Sequence, residues 1–347
     1  MRQTALITGF TGQDGTFLTR LLLGKGYQVV GLARRISTEP PRRVRGTLDF
    51  AREIASGQLV LAEGDMLSRS SLDRALRRHQ PTEIYNLAAQ SHVAVSFNQP
   101  EFTVETNFIG VVNLVESLCA YGDDWRMYQA STSEMFGDAR DQTEMDERTA
   151  LQPTSPYAIA KTAAHFYCRM KREQGYFISS GILFNHESEI RGGDFVSQRI
   201  VRGVVDFVSS GGEPVEPLEL GNLNARRDWG YAGDYVKAMW LMLQQASPGE
   251  YSVGTGTART VRQFVEAALA YVDKKVEWRG TGVDETGLVD GRVFIKVNQS
   301  HFRPNDVNYL AANSARARRE LGWAPETSFD QMVGIMVDAE FNRRLRP

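Results

Sequence analysis

Short apolar runs rich in Val, Ile and Leu alternate along this chain with longer stretches in which apolar residues recur every three or four positions. The runs "TALITG" (4–9), "QVVGLA" (28–33), "QLVLAEGD" (58–65), "EIYNLAA" (83–89), "RMYQAS" (126–131) and "FISSGILFN" (177–185) read as strands. Between them, "GTFLTRLLLGKGY" (15–27), "SSLDRALRRH" (70–79), "NFIGVVNLVESLCAY" (107–121) and "PYAIAKTAAHFYCRMKREQG" (156–175) carry helical spacing. Strands apolar on both faces and alternating with helices imply an α/β fold, a doubly wound parallel sheet covered on both sides. From about residue 190 the alternation loosens, and Gly, Pro and Arg become frequent. The expected division is a first domain over 1–185, to which a segment at about 225–258 returns, and a smaller interleaved lobe over most of 186–347.

Charge and cysteine content narrow the field. Lys+Arg 40 against Asp+Glu 42 argues against general affinity for nucleic acid or acidic membranes. The two cysteines, Cys119 and Cys168, form no disulfide framework, which fits a reducing cytoplasm. Neither they nor the five histidines show metal-ligand spacing, so no metal is expected. No apolar run approaches the ~18 residues of a membrane span, and "MRQTALITGF" does not read as a leader.

Three motifs carry chemistry. In "TGFTGQDG", Gly9, Gly12 and Gly15 fall between the first strand and the first helix. Glycines there let the backbone turn tightly and approach a pyrophosphate seated on the helix N-terminus, the Rossmann arrangement for a dinucleotide. An NAD site would place an acid at the end of the second strand, but "ARRIST" has Arg34 and Arg35 and no acid before Glu39. Guanidinium forks suit the 2′-phosphate of NADP, although "PPRRVRG" (40–46) also fits a solvated basic turn. In "SPYAIAK", Tyr157 and Lys161 lie one helical turn apart and project from one face. A free tyrosine has a pKa of ~10, and a nearby ammonium lowers the cost of its phenolate. In "STSEMFG" (131–137), Glu134 follows Thr132 at a strand end, where it either caps a helix or moves a proton.

Together these motifs resemble the extended short-chain dehydrogenase/reductases that act on nucleotide sugars. "ITGFTGQDGTFL", "EIYNLAAQSHVAVSF", "YQASTSEMFG", "SPYAIAK", "GILFNHES", "RDWGYAGDYVKAMWLMLQQ", "HFRP" and "LGW" are similar, in order and wording, to GDP-mannose 4,6-dehydratases from residue 4 to about 335. The resemblance implies that Thr132 hydrogen-bonds the C4 oxygen and Tyr157, supported by Lys161, takes the C4 hydroxyl proton. Glu134 then removes H5 and returns that proton to departing water. NADP contacts are implied for Gly9, Thr11, Gly12, Gln13, Asp14, Gly15, Arg34, Arg35, Asp65, Met66, Leu87, Ala88, Ala89, Tyr157, Lys161, His186 and Arg191. A GDP-sugar is expected to meet Ser91, Ser133, Asn185, Glu187, Arg199, Asn222, Arg227, Arg303 and Asp306. A cytoplasmic homodimer or homotetramer is implied as well, with helices 107–121 and 156–175 bundled across the dimer and the basic loop 34–46 reaching a neighbouring site.

The wording departs from the family at 187–200, where "ESEIRGGDFVSQRI" stands for "ESPRRGETFVTRKI", and in "HFYCRMKREQGY". Asp306 is one methylene shorter than the family's Glu. These changes border the sugar and nucleotide pocket, so another nucleotide sugar such as a GDP-heptose stays open. A 4-reductase or epimerase on this scaffold needs no acid at 134. A non-catalytic NADP-binding scaffold has no use for Thr132, Glu134, Tyr157 and Lys161 together.

Overall fold

A computed structural model describes residues 3–34, 50–138, 143–211, 216–302 and 307–345. Arg35, the basic stretch after it, Arg303 and Asp306 lie outside the described residues. Seven strands form one sheet: β1 (Thr4–Thr8), β2 (Gln28–Ala33), β3 (Leu59–Glu63), β4 (Glu83–Asn86), β5 (Arg126–Thr132), β6 (Ile178–Leu183) and β7 (Glu250–Val253). Their order is β7-β6-β5-β4-β1-β2-β3, with every neighbouring pair parallel. This is the doubly wound sheet expected from the alternation, and the strand order reverses between β1 and β4, where such folds open a ligand crevice.

Alternate residues of each strand feed two cores. Ala5, Ile7 and Val29 pack with Leu18 and Leu22 of α1 (Gln13–Gly24), and with Tyr235, Met239 and Met242 of a later helix (Ala232–Leu243). Leu6 and Val30 face the other way, against α2 (Arg69–His79), α3 (Gly110–Tyr121) and α4 (Pro156–Glu173). Burying both strand faces is why these runs read as continuous apolar stretches rather than alternating ones.

A third core holds the second lobe together. There α5 (Val196–Ser209), a helix at Val261–Tyr271 and the last helix (Phe329–Leu345) cover Val289, Phe294 and Ile295. These come from a small sheet ordered 276–279, 286–289, 292–297 and 218–220. The lobes alternate along the chain, since His186–Glu187 pairs with Gly230–Tyr231 before β7 enters the first sheet. Among the described residues, no helix is long and apolar enough to cross a membrane.

Local departures from the expected boundaries have identifiable causes. α1 starts at Gln13, ahead of the third glycine, because Gly12 is already its extended N-cap. β4 stops at Asn86 rather than Ala89, because Thr8 Oγ1 takes the Leu87 and Ala88 N–H groups, each at 3.1 Å. The helix expected at 107–121 is preceded by a short helix, Pro100–Val104, and a wide π-turn over Glu105–Ile109. Asn107 in that turn bonds Gln90 twice through its side chain, accepting from N at 2.8 Å and donating to O at 2.9 Å. Two glycines of the first turn are sterically required. Gly9 has φ +67°, and a Cβ there would meet Ala88 N at 2.8 Å; one on Gly15 would meet Phe10 Cα at 2.4 Å. Overpacking against backbone costs typically about 1–3 kcal/mol.

Candidate active site

The site is a cleft of about 560 Å³ above the C-terminal ends of β1, β4, β5 and β6, walled on its far side by the second lobe. Local sequence explains how its side chains arrive there. Ser155 accepts the Ala158 N–H at 3.1 Å and Pro156 takes the first helical position, so "SPY" fixes the opening turn of α4. Tyr157 and Lys161 then face the end of β5, where Lys161 Nζ donates to Ala130 O at 3.0 Å. Thr132 ends the strand and caps the next turn, accepting the Glu134 N–H at 3.3 Å. The capping is thus done by Thr132, and the Glu134 side chain lines the cleft, half-buried, beside Tyr157.

Burial dominates the two α4 groups. It pushes the Tyr157 phenol up to about 12, with a Thr132 hydrogen bond pulling down and the Glu134 charge pushing further up. It also brings the Lys161 ammonium down to about 8. Without added positive charge the phenol keeps its proton at neutral pH; an oxidised nicotinamide, when bound, would supply such a charge.

The residues of the first turn fit such a dinucleotide. The Gly9–Gly12–Gly15 turn offers bare backbone at the N-terminus of α1, and a side chain at Gly9 or Gly15 would collide with backbone. Gln13 and Asp14 tie this turn to the segment after β6. Gln13 Nε2 donates to His186 O at 3.1 Å, Ser188 Oγ donates to Gln13 Oε1 at 2.8 Å, and His186 Nε2 lies 2.9 Å from Asp14 Oδ2. His186 also bonds Phe184 O at 2.7 Å and stacks on Tyr235.

Most of the expected ligand residues share the cleft. Asp14, Leu87, Ala89, Ser91, Ser133, Asn185, His186, Glu187, Arg191, Arg199, Asn222 and Arg227 all line it with Thr132, Glu134, Tyr157 and Lys161. Among the described residues the buried Asn185 amide oxygen has no hydrogen-bond partner, which fits a ligand donor there. Glu187 Oε2 already accepts Ser197 Oγ at 2.6 Å and holds Arg191 Nε at 3.0 Å, so its first task is to aim Arg191. Arg199 NH2 donates to Glu219 O at 2.6 Å, and Arg227 NH1 to Arg226 O at 3.0 Å. Thr11 and Ala88 belong to the β1 turn and to the loop packed against it. Asp65 and Met66 do not line this cleft: they follow β3, where Asp65 Oδ1 accepts Leu67 N at 2.9 Å and Met66 is core. Arg34 is exposed at the end of β2.

Sequence reasoning did not single out His92, Asp194, Phe195 or Trp229, which also line the cleft. Trp229 could have been found from the quoted "RDWG". His92 and Phe195, whose rings lie 5.3 Å apart, meet only across the fold.

A parallel sheet with a glycine-rich first turn and a Thr/Tyr/Lys set on β5 and α4 defines a Rossmann enzyme of the short-chain dehydrogenase/reductase class. A family model described as GDP-mannose 4,6 dehydratase matches residues 6–336, and the chain belongs to that family. It is 42% identical to the GDP-mannose 4,6 dehydratase of Drosophila melanogaster, over 97% of this chain and 86% of that one. It is also 42% identical to GDP-mannose 4,6-dehydratase of Sinorhizobium fredii (97% and 96%) and 39% identical to the human GDP-mannose 4,6 dehydratase (98% and 91%). Among solved structures it is similar in fold to a Thermus thermophilus UDP-glucose 4-epimerase complexed with NAD, at TM-score 0.78, 23% identity and 98% and 99% coverage. A Bacillus anthracis dTDP-glucose 4,6-dehydratase in complex with NAD gives TM-score 0.78, 19% identity and 99% and 98% coverage.

The Asp14–His186 pair makes stability depend on pH. Burial by itself would raise the Asp14 carboxyl, but the His186 charge and hydrogen bond outweigh it and hold the group low. Burial by itself would lower His186, and Asp14 raises it instead. The raised His186 contributes stability that is full below its unfolded value of ~6.5 and is lost as pH rises through the folded value. The lowered Asp14 contributes above its unfolded value of ~3.9, and that part is lost only at strongly acid pH. Asp14→Asn should therefore cost more stability at pH 5.5 than at pH 9 in urea unfolding; an equal cost at both would show that the pair carries no charge coupling.

Proposed function

We propose that this protein dehydrates GDP-mannose to GDP-4-keto-6-deoxymannose, with NADP reduced and reoxidised within each turnover. The observation that carries this reading is the placement of the Glu134 carboxylate in the same cleft as Thr132, Tyr157 and Lys161. Oxidation at C4 needs the last three; removal of water across C5 and C6 needs a further acid–base group. When bound, the nicotinamide supplies a hydride acceptor at C4 and a hydride donor at C6.

The chain's own residues do the rest. Thr132 holds the C4 oxygen and Tyr157 takes its proton, with the Lys161 charge favouring the phenolate. Once C4 is a ketone, H5 is acidic, and Glu134 removes it and delivers that proton to the leaving C6 hydroxyl. C5 then takes up a solvent-derived proton as hydride returns to C6. Asn185, Arg191, Arg199 and Arg227 line the same cleft, and the guanidinium forks of the three arginines suit a diphosphate.

NADP rather than NAD is supported by Arg34 at the end of β2 and by the lack of an acid there. A homodimer is supported by an uncovered apolar stripe: Ile159, Phe166 and Met170 on α4, with Phe102 on the short helix before α3 and Ile109 in the π-turn, are about 39–53% exposed. The spacings of seven and eleven keep Ile159, Phe166 and Met170 on one face of α4, the pattern of a bundle seam.

Three sets of measurements test these readings. Glu134→Gln should keep its fold and cofactor but lose about 10²–10⁴-fold in turnover. It should still oxidise C4 on mixing with GDP-mannose, seen as bound NADPH absorbance, whereas Tyr157→Phe should show little. In heavy water the wild-type product should carry deuterium at C5; normal turnover and labelling by Glu134→Gln would end the dehydratase assignment of that residue. Replacing Arg34 and Arg35 by Ala should weaken NADP binding far more than NAD binding, and an equal loss would mark them as surface charges. Finally, the protein should be dimeric or larger by light scattering at micromolar concentration, and Phe166→Asp should dissociate the dimer. A wild-type monomer would refute the seam.

A further inference from the structure

Three residues of α4, each one helical turn from the last, meet the end of β5. Tyr157 hydrogen-bonds Thr132, Lys161 Nζ reaches Ala130 O at 3.0 Å, and His165 Nδ1 lies 2.9 Å from Ser131 Oγ. The first two belong to the chemistry proposed above. His165 has no part in it, yet its side chain is fully buried, with 0% exposure.

Its surroundings fix its proton. Arg169 NH2 lies 3.2 Å from His165 Nε2, and a guanidinium can only donate. Nε2 is therefore the acceptor, and the ring hydrogen sits on Nδ1, where it donates to Ser131 Oγ. Glu250 Oε1 is farther from Nε2, at 3.4 Å. The Glu250 carboxylate instead takes Arg169 Nε at 2.8 Å and NH2 at 2.6 Å, and also bonds Arg172 NH2. Burial alone would push Glu250 up, but the Arg169 hydrogen bonds and the Arg172 charge hold it well below the usual carboxylate range, so it stays ionised. Glu250 opens β7, which pairs with β6, and β6 pairs with β5 from Met127 to Thr132. A frame of two arginines and a carboxylate thus locks one imidazole onto one serine, between the acceptor of Lys161 and the partner of Tyr157.

We propose that His165 is a positioning residue of the active site: through Ser131 it fixes the terminal residues of β5, and so the alignment of Thr132 and Ala130 O with Tyr157 and Lys161. It touches neither substrate nor cofactor. A frayed strand end would leave binding largely intact while misplacing the proton acceptor, and misplacement of about 1 Å can cost on the order of 10²-fold in rate.

The inference rests on the chemical roles proposed for Thr132, Tyr157 and Lys161, and the test keeps the two separable. An asparagine amide nitrogen can replace His Nδ1, and a glutamine amide can replace Nε2. His165→Asn therefore keeps the Ser131 contact and loses the Arg169 frame, whereas His165→Gln does the reverse. These variants, Ser131→Ala and Tyr157→Phe are each prepared as the full chain with its cofactor. Turnover of GDP-mannose and thermal melting are then measured. Expected are a kcat loss of about 10–10²-fold in His165→Gln and Ser131→Ala with KM within about threefold, and kcat within about threefold in His165→Asn. Melting should rank the other way, with His165→Gln closer to wild type than His165→Asn. The proposal is overturned if Ser131→Ala keeps full kcat, if Asn rescues no better than Gln, or if kcat simply follows melting temperature. Ser131→Ala decides the matter should a His165 variant fail to fold. An active Tyr157→Phe would instead remove the chemical reading, whatever the His165 variants do.

Discussion

A buried hydrogen-bond chain runs across the C-terminal ends of β1, β4 and β5, and the rest of the site depends on it. Thr8 Oγ1 donates to Asn86 Oδ1 at 2.6 Å, Asn86 Nδ2 to Gln129 Oε1 at 2.8 Å, and Gln129 Nε2 to Ala130 O at 3.1 Å. Each of the three side chains is about 1% exposed, so none can turn to water for a partner. Buried polar groups of this kind are costly unless all are satisfied, which makes the arrangement specific rather than adaptable. The same Thr8 oxygen accepts the Leu87 and Ala88 N–H groups and ends β4, while Ala130 O also accepts Lys161 Nζ. One ladder therefore registers the glycine turn, the loop beneath the cofactor's expected place and the lysine of α4 against one another.

The electrostatics of the cleft follow from how unequally its groups are buried. Tyr157 and Lys161 are driven in opposite directions by desolvation, each towards its neutral form. Glu134 lines the same cleft but is only half-buried. A dehydratase needs that division of labour. In the proposed reaction, oxidation of the alcohol falls to the buried Tyr157 and Lys161, and the acid–base work on C5 and C6 to the more exposed Glu134.

The segment after β6 joins the lobes chemically as well as by chain. His186 and Ser188 reach back to Asp14 and Gln13 in the first turn, while Glu187 holds Arg191 towards the cleft. At the far end of the same loop, Arg343 of the last helix donates to Glu189 O at 2.9 Å, and Tyr231 OH donates to Glu189 Oε2 at 3.1 Å. Glu189 is one of the positions at which the wording departs from the family. Its contacts turn it towards the second lobe, while Arg191 lines the cleft.

Fold class, the glycine turn and the pairing of Tyr157 with Lys161 were legible in local spacing, whereas Thr132 and Glu134 were singled out by the resemblance to a known family. Period-two and period-3.6 patterns are properties of neighbouring residues, as is the one-turn separation of Tyr157 and Lys161. The limits of that legibility are equally physical. Nothing within "EIYNLAA" tells that β4 ends at Asn86, since the terminating hydroxyl belongs to Thr8, 78 positions away. Nothing within "NFIGVV" predicts the wide turn at Asn107, whose amide is claimed by Gln90. Glu187 reads as a ligand carboxylate until Ser197 and Arg191 are seen to occupy it, and His165 reads as an ordinary core residue until Ser131 and Arg169 are brought to its two nitrogens. The sequence by itself determined the main elements of the first domain and which side chains are candidates for chemistry. Only the tertiary structure decided which polar groups meet, because hydrogen bonds between distant segments act over about 3 Å and exist only after the sheet has set its register.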